Sequence, residues 1–160
     1  MIYTDGGCRG NPGVGGWGFL MIDRETGRAL ERHGGERDTT NNRMEMTAAI
    51  EGLRALKNRE HAVEIRSDSR YVVDMCTSWI RGWKARGWKR KDGPVLNLDL
   101  VKALDELMAA HDVKFTWVRG HVGDPGNEYA DRLTNEAMDR IGSGQDPAGE
   151  RRHTRSPVTI

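Results

Sequence analysis

The spacing of the apolar residues changes near residue 45, and that change constrains the fold more than any other feature of the chain. Beyond it, Met46, Ala49, Ile50, Leu53 and Leu56 fall at i, i+3, i+4, i+7 and i+10, which is one face of a helix. Thr40, Asn41 and Asn42 precede that face and offer N-cap oxygens. Ahead of it the chain reads as an antiparallel meander: a short strand at 2–4, a glycine-rich stretch at 6–18 whose glycines read as a hairpin cluster, a strand at 17–23, a turn, and a weaker strand ending near residue 36. After the helix come a strand at 62–66 and a helix that Ser69 can cap, carrying Tyr71, Val72, Val73, Met75 and Ile80. Asn97 can cap a further helix with Leu100, Val101, Leu104, Leu107 and Met108 on one face. A strand at 113–118, a loop at 120–126 and a helix at 127–141 follow. The order β-β-β-α-β-α-α-β-α predicts an α/β (α+β) fold, a mixed five-stranded sheet with helices on both faces. From residue 142 onward Gly, Ser, Pro and charge dominate, so 1–141 is expected to be one domain and 142–160 a disordered tail.

The 160 residues are 36% hydrophobic and 31% charged, a soluble composition of single-domain size. No apolar run approaches the roughly 18 residues needed to span a bilayer. The first residues, Met1-Ile2-Tyr3-Thr4-Asp5, show no signal-peptide pattern. Two cysteines, Cys8 and Cys76, make neither a disulfide framework nor a zinc pattern. The expected setting is the cytoplasm.

Four acids mark the ends of these elements: Asp5, Glu45, Asp68 and, on the last helix, Asp131. Bringing carboxylates together is costly, because like charges resist crowding. A hard divalent cation with oxygen ligands removes that cost, and Mg²⁺ or Mn²⁺ suits such a set, whereas zinc favours His or Cys. Each acid also fits a plainer role: Asp5 a turn residue, Glu45 a first-turn acid facing the helix dipole, Asp68 an N-cap. Glu45 shares a face with Ala49 and Leu53, where an unpaired carboxylate is expensive. Asp131 lies off the Ala130–Leu133–Ala137 stripe and reads, by periodicity alone, as solvated. His121 sits in the loop Arg119-Gly120-His121-Val122-Gly123 and could move protons near neutral pH, or be an ordinary surface histidine.

The net charge of +1 hides an uneven distribution. Residues 79–93 carry six cations against Asp92, with Trp79, Trp83 and Trp88 interleaved. Indoles can pack on bases or sugars while cations neutralise phosphates. Gly13-Val14-Gly15-Gly16-Trp17-Gly18 matches a dinucleotide fingerprint in letters only: Pro12 precedes it and a strand, not a helix, follows.

Taken together, six stretches resemble type 1 ribonuclease H, the bacterial ribonuclease HI. They are Tyr3 to Gly13, Thr39-Thr40-Asn41-Asn42-Arg43-Met44-Glu45, Ser67-Asp68-Ser69, residues 79–89, Trp117-Val118-Arg119-Gly120-His121, and Gly126-Asn127-Glu128 with Asp131. They occur in the family order and cover about 2–141. The resemblance implies the ribonuclease H-like fold and a metal-dependent endonuclease that cuts the RNA of RNA–DNA hybrids, leaving 5′-phosphate and 3′-OH ends. It places Asp5, Glu45, Asp68 and Asp131 on a pair of Mg²⁺ ions (Mn²⁺ as the alternative), overruling the solvated reading of Asp131. Two metals about 4 Å apart suit in-line displacement at phosphorus. His121 becomes a catalytic loop histidine. Gly6, Cys8, Asn11, Thr40, Asn41, Asn42, Trp79, Trp83, Lys84, Arg86, Trp88 and Lys89 become nucleic-acid contacts of a monomer with no obligate protein partner. The chain departs from the family pattern in a short run before Asp5, in Arg70 where a neutral amide is usual, and in its basic tail. Another metal nuclease of the same superfold and a non-catalytic hybrid-binding module are the competing readings, separable by a substrate panel.

Overall fold

The computed structural model describes residues 1–58, 61–120 and 123–159. Three antiparallel strands open it: β1 (Ile2–Arg9), β2 (Gly13–Ile22) and β3 (Ala29–Thr39). Helix α1 (Asn41–Arg54) follows, then β4 (Ala62–Ser67) and α2 (Arg70–Asp74). A π-helical turn, Met75–Trp79, carries α2 into α3 (Ile80–Ala85). The hairpin β5 (Lys89–Arg90) and β6 (Gly93–Pro94) leads to α4 (Leu98–Ala110), β7 (Asp112–Trp117), α5 (Pro125–Gly142) and β8 (Gly149–His153). The main sheet runs β7-β4-β1-β2-β3-β8. β4 pairs in parallel with both β1 and β7, and the other pairings are antiparallel. The sheet is mixed, as expected, and α1 and α5 cover opposite faces. Ile2, Phe19 and Ile65 pack with Met46, Ile50 and Leu53 of α1, while Tyr3, Leu20 and Ile22 pack with Ala130 of α5.

Two expectations are corrected. The first strand does not end at Thr4: β1 runs to Arg9 and β2 begins at Gly13, so the glycine-rich stretch 6–18 is strand on both sides of a short turn. Its glycines serve helix packing. A Cβ at Gly16 would lie 2.5 Å from the Thr134 carbonyl oxygen, and one at Gly18 would lie 2.6 Å from Leu133 Cβ. Their absence lets α5 settle onto β2. The 142–160 tail, expected to be disordered, forms β8 and makes the sheet six-stranded. Its anchors are polar, which composition does not reveal. The buried His33 ring meets the Pro147 carbonyl at 2.7 Å, and His153 Nε2 meets buried Glu31 at 2.6 Å. Backbone pairing to the otherwise open edge of β3 does the rest. Among the described residues no helix is long and apolar enough to cross a membrane.

Candidate metal centre and nucleic-acid interface

Register builds the site. In the parallel β1–β4 pair Thr4 lies opposite Ser67, so Asp5, within β1, and Asp68, just past the end of β4, come side by side. Helix α1 supplies the third acid. Thr40 caps it, accepting from Arg43 N at 3.3 Å, which places Glu45 beyond the first turn and facing inward. The first-turn reading of Glu45 is therefore set aside. Gly6 lets this happen: a Cβ there would sit 2.3 Å from the Met44 carbonyl carbon and 2.4 Å from Glu45 N. With no side chain in the way, α1 approaches closely enough for Gly6 N–H to donate to Glu45 Oε1.

Asp5, Glu45 and Asp68 each offer an oxygen within 4.8 Å of the others, the one such acid, His and Cys cluster among the described residues. Asp5 and Glu45 are buried. Burial, then the charges of Asp68 and Asp131, push the Asp5 carboxyl up to about 8, against the opposing effect of a hydrogen bond with Thr134. Burial, then Asp5 and Asp68, hold Glu45 well above the usual carboxylate range, although Gly6 N–H and Ser69 favour its charged form. Metal-free, the site keeps protons that a cation would displace. The donors are all carboxylate oxygens, two of them buried, which fits Mg²⁺ or Mn²⁺ and does not fit a thiolate- or imidazole-seeking ion.

Asp131 projects from α5, half-buried, outside the tight three-acid set but close enough to act on the Asp5 charge. Asn135 Nδ2 approaches its Oδ2 at 3.4 Å. The solvated reading from periodicity fails because α5 is pressed onto glycines of β2, which turns this edge of the helix toward β1. Gly120, three residues after β7, would bring a Cβ to 3.0 Å from Asp68 Oδ2. His121 itself lies outside the described residues. Sequence reasoning missed Thr134, a buried residue whose hydroxyl donates to the Ala130 carbonyl at 3.1 Å and lies near enough to Asp5 to favour its charged form. Its one signal is its position three residues after Asp131.

The expected contact residues fall into two groups. At the first, Cys8 N–H donates to Asn41 Oδ1 (2.7 Å) and Asn41 N–H to Asn11 Oδ1 (3.2 Å). These bonds tie the β1–β2 turn to the start of α1, where Thr40 and the exposed Asn42 also sit. The second group is the basic handle over residues 79–93. Trp79 is 39% exposed and sits between Tyr71, which it meets edge to face (5.6 Å), and Trp83, to which its ring is tilted (5.9 Å). Arg86 and Lys89 are exposed. Lys84 is bound to Asp105 at 3.0 Å, and Trp88 lies under the Lys102 ammonium at 5.8 Å.

A family model described as RNase H matches residues 1–139. A protein of Bordetella pertussis named Ribonuclease H is 55% identical over 139 residues, 86% of this chain and 88% of that protein. One of Pseudomonas entomophila with the same name is 55% identical over 141 residues, covering 88% and 93%. Among solved structures, LC9-RNase H1, described as a type 1 RNase H with the type 2 active-site motif, superposes with a TM-score of 0.76 at 35% identity, over 91% of this chain and 72% of that one. LC11-RNase H1, solved in complex with an RNA/DNA hybrid, superposes at 0.67 with 28% identity over 88% and 96%.

Proposed function

This chain belongs to the ribonuclease H family, and from that premise we propose that it hydrolyses the RNA strand of RNA–DNA hybrids, giving 5′-phosphate and 3′-OH ends. The observation that carries the proposal is the cluster of Asp5, Glu45 and Asp68, two of them buried, with Asp131 beside it. A related structure that holds an RNA/DNA hybrid supports the choice of substrate.

The four carboxylates would hold a pair of divalent cations, Mg²⁺ or Mn²⁺. When bound, the ions supply an acidified water and neutralise charge on the attacking and leaving oxygens. The chain does the rest. Asp5 and Glu45, whose burial favours the neutral form, would have to be ionised to hold the cations. Gly6 N–H and Ser69 keep Glu45 oriented. Asn11, Asn41 and Asn42, grouped where the β1–β2 turn meets the start of α1, would contact the nucleic-acid backbone through their side-chain amides. The handle neutralises further phosphates while its indoles pack on the strand. Selection for RNA rests on the 2′-OH, which DNA lacks. His121, next in the chain after Gly120, is the proposed group for moving a proton near the leaving oxygen. The protein works as a cytoplasmic monomer, a setting that suits the free thiols of Cys8 and Cys76.

A labelled panel of RNA–DNA hybrid, RNA duplex and DNA duplex, each with Mg²⁺ or EDTA, tests the proposal. Cutting confined to the RNA of the hybrid, and only with Mg²⁺, is expected. Cutting of duplex DNA would point to another nuclease of this fold, and binding without cutting to a hybrid-binding module.

A further inference from the structure

Helix α4 contributes nothing to the carboxylate site, yet it touches the handle at two places. Asp105 Oδ2 holds Lys84 Nζ at 3.0 Å, and its side chain is only 20% exposed. One turn earlier on the same helix, Lys102 Nζ stands 5.8 Å over the Trp88 ring. These contacts bracket the point where α3 gives way to the β5–β6 hairpin. There the backbone turns left-handed at Gly87 (φ 70°) and at Trp88 (φ 66°). A left-handed conformation is unusual for a bulky residue and persists only where its surroundings enforce it. Trp88 N–H donates to the Trp83 carbonyl at 2.7 Å, and both indoles pack against the main core.

We infer that Asp105 and Lys102 are positioning residues for hybrid binding: α4 sets the angle at which the handle presents its cations, and Lys84 acts as a strut rather than as a phosphate contact. Three observations support this. A lysine tied to a mostly buried acid gains less from a phosphate than a free one, because the existing pair must first be broken. The strained turn at Trp88 gives the handle one defined exit from α3. The two α4 contacts are a turn apart and grip different parts of the handle, so together they resist rotation that either alone would allow. The inference rests on the reading that the handle binds the hybrid.

The sign of one substitution separates the strut from plain electrostatics. Asp105→Ala removes a negative charge beside a polyanion-binding surface. If charge alone mattered, hybrid affinity would rise. A strut predicts the opposite: affinity three- to fivefold weaker, the scale of one partly exposed ion pair worth up to about 1 kcal/mol, with the loss in Kd rather than in single-turnover rate. Lys84→Ala should weaken binding by a similar factor and keep the slope of log K against log salt. A phosphate contact would flatten that slope by about 0.7 to 0.9. The exchange Lys84→Asp with Asp105→Lys should recover part of the loss, since the pair is rebuilt with its charges swapped. Thermal unfolding of each variant checks that the fold persists. Lys89→Ala with Lys91→Ala is the control, and it should flatten the slope. Tighter binding by Asp105→Ala, or a flattened slope in Lys84→Ala, overturns the strut while leaving the handle as the binding surface. An unchanged slope in the Lys89, Lys91 variant overturns both readings at once.

Discussion

Replacing Asp5 by Asn in the metal-free protein should stabilise it, and the gain should grow with pH. Asp5 is 6% exposed and its neighbours are Glu45, Asp68 and Asp131. Its carboxyl rises from 3.8 to about 8 on folding. A group whose pKa is raised by the fold contributes stability that is complete below its unfolded value and lost as pH climbs through its folded value. The window is therefore about pH 4 to 8, and the wild-type protein weakens across it. At about 1.36 kcal/mol per pH unit, the full shift sets a ceiling of about 6 kcal/mol at pH 8. Crowding is shared with Glu45 and Asp68 and relaxes when either takes a proton, so roughly half, on the order of 3 kcal/mol, is the expected gain for Asp5→Asn. For a chain of this size that corresponds to about 6 to 12 °C in Tm. The assay is thermal unfolding in EDTA for both proteins from pH 4 to 8.5. The curves should nearly meet at pH 4 and diverge steadily above it. A gap that stays constant with pH, or a wild type more stable than the variant at pH 8, would refute the argument.

Three further outcomes follow from the same geometry. Mg²⁺ should raise the Tm of the wild type, by about 2.7 kcal/mol equivalent at a hundred times Kd, and should leave an Asp5→Asn, Asp68→Asn double variant unmoved; an equal rise in both would put the ion elsewhere. Gly6→Ala should cost about 3 kcal/mol and weaken the Mg²⁺-dependent Tm rise, because the new Cβ meets backbone of Met44 and Glu45; a wild-type Mg²⁺ response would mean that Glu45 is not positioned through Gly6. Deleting 146–160 takes the Pro147 carbonyl from His33 and the His153 ring from Glu31, leaving them Glu136 and Tyr129, and reopens the β3 edge. It should lower stability by about 2 to 4 kcal/mol and promote association, which unfolding and light scattering would show; an unaltered Tm would make β8 dispensable.

The order of strands and helices was legible because apolar spacing reports which face is buried, and each core helix carried a clear stripe. Three things were hidden. Glycines of β2 read only as a hairpin cluster, since their packing purpose appears only when α5 lies across them. The tail read as disordered, since histidine–carboxylate and edge hydrogen bonds leave no apolar signature. Asp131 read as solvated, since a stripe locates the centre of a buried face and not its rim, where half-buried functional groups sit. Asp5, Glu45 and Asp68 were visible individually as acids at element ends, but their convergence came from strand register and from the close approach that Gly6 permits. Lys84 and Asp105 show a further limit: a cation in a basic run carries no mark in sequence of which partner it has taken.

The most direct measurement compares wild type and Asp5→Asn on one substrate. An RNA–DNA hybrid labelled on the RNA strand is titrated with each protein, first in Ca²⁺ or EDTA for affinity and then in Mg²⁺ for cutting. The proposed function predicts comparable hybrid affinity, Mg²⁺-dependent RNA cleavage by the wild type with 3′-OH ends that a polymerase extends, and no detectable cleavage by Asp5→Asn. Wild-type cleavage rates from Asp5→Asn at saturating Mg²⁺ would contradict the assignment of the Asp5, Glu45 and Asp68 cluster as the catalytic centre.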